Sequence, residues 1–264
     1  MKLSAYIEGI GLLGPGLSDW PTAQPVLTGQ QPYQPSRTLL PAPTLLPPAE
    51  RRRSSAIVKL TLATGLEAVA AAGLDAATLP CVFSASGGDG ENCHAICAML
   101  ATDDRAISPT RFHNSVHNAA AGYWGIATGA MTNTSVLCAF DASFGAGLLE
   151  AITQVVVDDA RTLLMACDTQ YPEPLHSARP ITDSFGIALV LAPHRSARSL
   201  AQISVSLTTD PAQPLDDRVL ESLRLGIPAA RGLPLLRAIA LHQDTRLVLE
   251  YLDTQRLAVA VTLC

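Results

Sequence analysis

Few side chains in this sequence are placed to do chemistry. Cys138 lies in a short apolar run, and Asp141 follows at an abrupt turn, Asp141-Ala142-Ser143, ahead of a stretch rich in small residues. A cysteine attacks as the thiolate, and a thiol enclosed in a strand stays an ordinary apolar filler. An aspartate just before a helix has a structural use, because its carboxylate accepts the free N–H groups of the first turn. Upstream, Phe112-His113-Asn114-Ser115-Val116-His117-Asn118 collects groups able to hydrogen-bond. His113 and His117 are candidates for a network, an interface or a pocket wall. Cys93 and Cys97 can share one helix face, but no second ligand pair follows, so no metal site is expected. Gly87-Gly88-Asp89-Gly90 has neither the lysine of a phosphate loop nor the spacing of a dinucleotide fingerprint, and reads as a turn. No cofactor is implied.

The elements that must position these residues are short and apolar. Of the 264 residues 48% are hydrophobic and only 16% charged, with mean hydropathy +0.25. No run approaches the ~20 apolar residues of a membrane span, so a cytoplasmic protein with a large core is expected. Cys81, Cys93, Cys97, Cys138, Cys167 and Cys264 then read as reduced thiols, since no signal-peptide pattern opens the chain. A net charge of −5 gives no basic field for nucleic acid. Arg51-Arg52-Arg53, the one basic cluster, reads as a solvated helix start, or more weakly as a contact for an acidic carrier protein. So apolar a chain with so few charges is expected to hide surface against a partner.

Hydrophobic periodicity predicts a strand near residues 5–11 and a proline-rich extended loop over 20–50. A helix follows over 54–72, ended by Gly73, then a buried strand at Cys81–Ser84 and a helix over 91–100. A small-residue helix is predicted over 119–128, a strand over 134–140, and a helix from the turn to about 157. Strands follow at 161–166, 186–191 and 203–207, helices at 216–225 and 233–241, and a hairpin of strands 246–252 and 256–263. No convincing linker interrupts this, so residues 1–264 read as one domain. The alternation predicts an α/β layered fold around a mostly buried sheet.

In combination these segments resemble the thiolase-fold ketosynthases over roughly residues 1–207. The resemblance rests on Ser108-Pro109-Thr110, Ser115-Val116-His117-Asn118-Ala119-Ala120-Ala121-Gly122, the strand–turn–helix over 134–157, Arg161-Thr162-Leu163-Leu164-Met165-Ala166 and Asp183-Ser184-Phe185-Gly186-Ile187-Ala188-Leu189-Val190-Leu191. It implies a layered α/β/α fold whose N-terminal half is complete and whose C-terminal half is truncated, residues 201–264 being a reduced remnant. The family holds its acyl chain on a cysteine at the strand–helix turn. Laid on this sequence without gaps, that position falls on Asp141, which cannot form a thioester. Cys138 is the competing nucleophile. Neither of the family's two histidine motifs is present; after Ala192 only His194 and His242 remain.

The resemblance therefore implies a subunit that does not condense, similar to the chain length factors of type II polyketide and aryl polyene systems. Such proteins pair with an active, full-length ketosynthase and shape its acyl tunnel. The expected interface strand carries Val136, Leu137 and Phe140, and the expected tunnel-proximal segment carries Phe112, Val116, His117, Asn118 and Tyr123. Phe112 and Tyr123 are either gates or core anchors. Contact with acyl carrier protein is expected to be indirect or weak, and a homodimer is the expectation for the chain alone. Two other readings stand beside this one. One is a thioesterase or decarboxylase using Asp141 or Cys138 with His113 or His117; the other is a scaffold for a ketosynthase or carrier protein.

Overall fold

The computed structural model describes residues 2–264. In chain order the elements are β1 (Leu3–Leu13), α1 (Trp20–Leu27), α2 (Pro48–Arg53), α3 (Ala56–Ala72), β2 (Cys81–Ser84), α4 (Gly90–Leu100), α5 (Pro109–His113) and α6 (Ala119–Thr128). They continue as β3 (Thr134–Leu137), α7 (Ser143–Asp158), β4 (Thr162–Asp168), α8 (Leu175–Ala178), β5 (Phe185–Ala192), β6 (Ala201–Thr208), α9 (Arg218–Gly226), α10 (Leu233–Ala240), β7 (Thr245–Glu250) and β8 (Arg256–Leu263).

One eight-stranded sheet runs β3-β2-β4-β5-β1-β6-β8-β7. The first three strands are parallel, and the remaining pairs are antiparallel. Every residue of β4 and β5 is buried, as the apolar runs of their sequences require for strands covered on both faces. Alternate residues of β4 serve opposite layers. Leu164 and Ala166 join α1, α7, α9 and α10 in one core, while Leu163, Met165 and Cys167 join α3 and α6 in the other. The fold is therefore the α/β/α sandwich expected.

Close approach of α3 to β1 depends on glycine. A Cβ at Gly9 or Gly11 would stand 2.1 or 2.0 Å from the carbonyl oxygens of Ala68 and Thr64. The predicted helix starting at 54 begins two residues later, and Gly73 ends it in the left-handed conformation with φ +63°.

Two expectations need correction. The loop over 20–50 contains α1, because Asp19 accepts from the Thr22 N–H and caps it, and the start of α2; residues 32–43 between them have no regular structure. The strand over 134–140 stops at Leu137, and β3 is the edge strand at one end of the sheet. The backbone beyond it must turn towards α7, which it does through a short 3-10 turn, Phe140–Ala142. From Phe140 to Asp158 the helical segment is long and apolar enough, by length and composition alone, to cross a membrane. Half of it is buried inside the fold as a core helix.

Candidate functional site

The junction between β3 and α7 keeps the sharp turn expected there. Phe140 has φ +52°, a left-handed conformation that a bulky side chain adopts only under strain of about 1–3 kcal/mol. Its ring points outward and is 61% exposed, with the Arg179 guanidinium 3.6 Å above its centre.

Asp141 is not the helix cap that its position suggested. No side chain caps α7; the turn is held instead by Ser143, whose Oγ donates to the Phe140 carbonyl and accepts from the Ala139 N–H. The Asp141 carboxylate faces two arginines. Arg179 donates to Oδ1 at 2.8 Å, and Arg231 lies 3.8 Å from Oδ2. Arg231 also donates to Glu250 at 2.9 Å, and Glu250 accepts from Arg224. Arg224, only 4% exposed, grips Glu221 with two bonds of 2.7 and 2.8 Å. Burial alone would lower its pKa, but the bonds to Glu221 and Glu250 more than reverse this and hold it above its ordinary value. The Arg224 hydrogen bond in turn holds Glu221 below the usual carboxylate range. A chain of ion pairs thus runs from the turn through the short helix Pro228–Gly232 and the end of β7 to α9.

Cys138 also departs from expectation. It lies just past β3, exposed rather than buried in a strand, and its thiol donates to the Ser86 carbonyl at 3.0 Å. Neither late histidine joins the junction: His194 pairs with Asp159 on the surface, and His242 is exposed in a left-handed turn. Beneath lies Asp168, which sequence reading missed. Its buried carboxyl accepts from the Ser86 N–H (2.8 Å), the Ser86 hydroxyl (2.6 Å) and the Ala229 N–H (2.8 Å), tying the glycine turn to the C-terminal segment. Burial raises its pKa to about 6, although the bonds from Ser86 and Ala229 and the charge of Arg179 act the other way.

This elevation gives a signed expectation. A carboxyl raised above its unfolded value of about 3.9 contributes stability that is fully present below that pH. The contribution is lost as pH rises through about 6. Asp168→Asn removes the titration and turns an amide N–H towards the Ala229 N–H. Thermal melts from pH 4 to 7.5 should show the variant less stable, with a flatter decline between pH 4.5 and 6.5 than the native chain.

The tunnel candidates divide. Val116 and His117 meet Val136 around a cavity of about 30 Å3 beside Gly87 and Gly88, room for about one water. Phe112, Val116 and Asn118 are exposed, and Leu137 is half-buried against the core. Tyr123 is buried, its hydroxyl donating to Asn114 at 3.2 Å. Ile126 in α6 is 50% exposed, and Met131 in the loop that leads into β3 is 95% exposed.

Solved structures share this architecture. A ketosynthase (ApeO) in complex with its chain length factor (ApeC) from Xenorhabdus doucetiae matches with TM-score 0.74 and 22% identity, over 98% of this chain and 99% of the matched one. A type II polyketide synthase acyl-carrier protein in complex with its ketosynthase bound to the hexaketide (AntDE:AntF) matches with TM-score 0.75 and 11% identity over the full length of both chains. The ishigamide ketosynthase/chain length factor matches with TM-score 0.69 and 14% identity, over 98% and 99%. No curated protein sequence matches. The sequence profile described as beta-ketoacyl synthase, N-terminal domain, matches residues 24–226, and the chain belongs to that family.

Proposed function

We propose that the chain is a non-condensing ketosynthase-like subunit that pairs with an active ketosynthase and shapes its acyl tunnel, in the manner of a chain length factor. The observation that carries this is the occupant of the strand–helix turn. Asp141 stands at the nucleophile position and is held by Arg179 and Arg231, where a thioester would have to form. A carboxylate cannot hold the acyl chain as a thioester.

The surface beside it supports pairing. β3 leaves one edge of the sheet open, and the segments before and after it carry the exposed apolar side chains Phe112, Val116, Ile126, Met131 and Phe140; open edges and exposed apolar side chains are features that proteins ordinarily cover. Two similar structures are of a ketosynthase with a chain length factor, which favours a ketosynthase as the partner over a second copy of this chain. The setting proposed is a cytoplasmic polyketide or aryl-polyene-like pathway. Acyl carrier protein would be met through the partner. Co-expression with a full-length ketosynthase, followed by size exclusion with light scattering, tests the pairing. A one-to-one complex is expected; two separate species would refute it.

Within the complex, Phe112 is the residue expected to set product length, because it lies in the proposed tunnel-proximal segment and is 68% exposed. Phe112→Ala should lengthen carrier-bound products measured by mass spectrometry, with the melting temperature nearly unchanged. Tyr123→Ala should instead cost about 3–5 kcal/mol and lower yield without changing length. An unchanged length distribution in a stable Phe112→Ala complex would reduce the role to that of a scaffold.

A further inference from the structure

A large concavity lies elsewhere. A groove of about 930 Å3 separates the extended segment 31–45 from α3 and the end of β1. No residue of α5, α6 or β3 lines it, so it is distinct from the surface proposed to meet the ketosynthase. Its floor is apolar: Leu12, Leu13 and Leu17 from one side, Leu62, Ala63 and Leu66 from α3 on the other.

The wall facing α3 is fixed in an arched shape. Tyr33 donates to the Pro15 carbonyl at 2.8 Å, and Thr38 binds Asp183 and Ser184 at 3.1 and 2.7 Å. Arg51 holds the Thr44 and Leu46 carbonyls at 2.8 and 3.1 Å. Between these ties Pro41 and Pro43 stiffen the span, and Leu39 beside the groove is 83% exposed.

Charge at the groove is one-sided in its effect. Both acids that line it are already engaged: Glu67 accepts from the Leu12 and Trp20 N–H groups at 2.9 and 2.7 Å, and Asp19 caps α1. Both cations that line it, Lys59 and Arg37, lack a carboxylate partner among the described residues. Arg37 makes only a 3.5 Å bond to Gln170.

A preformed apolar trough with two unpaired cations complements an amphipathic anion. We propose that this groove binds a long-chain carboxylate, with the tail along the leucine floor and the head against Lys59 and Arg37. Its volume lies within the range of small-molecule sites, about 300–1,000 Å3.

Fluorescence titration of the full chain with cis-parinaric acid tests the proposal. One saturable site is expected, displaced by palmitate and at least ten-fold less well by hexadecanol, which has the same tail without the charge. Lys59→Glu with Arg37→Glu should weaken binding at least ten-fold, and Ala63→Trp, which fills the trough, should abolish it in a protein that melts normally. Ile126→Glu, an exposed position that does not line the groove, should bind like the native chain. Absence of a saturable site, equal competition by hexadecanol, undiminished binding by the charge-reversed variant, or loss of binding in Ile126→Glu would each overturn it. None of these outcomes bears on assembly with a ketosynthase.

Discussion

Arg224→Met should destabilise the protein by about 3–5 kcal/mol, the usual cost of leaving buried partners of an ion pair uncompensated. Arg224 is nearly inaccessible, and it alone joins Glu221, on its own helix, to Glu250 at the end of β7. Methionine fills much of the volume but strands two carboxylates, one of them also shared with Arg231. Urea unfolding monitored by circular dichroism would show the midpoint fall with the m-value unchanged. Adding Glu221→Gln should restore part of the loss, because one stranded charge is then removed. A native-like midpoint for Arg224→Met would mean that solvent reaches the network and that it contributes little.

The second large effect is expected at the proposed pairing surface. Ile126→Glu should weaken association with the partner ketosynthase at least 100-fold, equivalent to about 2.7 kcal/mol, since an unpaired charge would be buried at a close-packed contact. Ile126 is half exposed in the single chain, so its own stability should hardly change. Val136 is a poorer probe, because it already packs against the core beneath β3 and a charge there would strain the fold as well. Binding measured by light scattering or calorimetry, alongside melts of the isolated variant, separates the two effects. Native affinity in a folded Ile126→Glu variant would place the contact elsewhere.

Much of the architecture is legible in the sequence, because periodicity reports burial. The continuous apolar runs at 161–166 and 186–191 announce strands covered on both faces, and the turn Asp253-Thr254-Gln255 announces the β7–β8 hairpin. Gly73 and the glycine cluster after β2 mark a helix end and a turn for steric reasons that act locally. Where the reading failed, long-range contacts decide. Asp141 looks like a cap from its neighbours alone, but arginines 38 and 90 residues further along claim its carboxylate (179 − 141 and 231 − 141). Glu250 sits in an alternating strand with nothing local to mark it, and Asp168 ends an apolar strand whose partners lie 82 and 61 residues away. Only Glu221 and Arg224 carried a local signal, being three apart on a helix capped by Asp217. β3 was read as too long because the apolar composition runs on through Phe140, past the point where the backbone turns towards α7.

The central claim is that this chain lacks condensing chemistry of its own and acts through a ketosynthase. Its most direct test is an assay of malonyl-carrier and acyl primer with the purified chain alone, the ketosynthase alone and the two together, followed by mass spectrometry of carrier-bound products. If the proposed reading of Asp141 at the nucleophile position holds, the chain alone gives no ketoacyl product and the complex elongates to a defined length. A ketoacyl product from the purified chain alone would contradict the account.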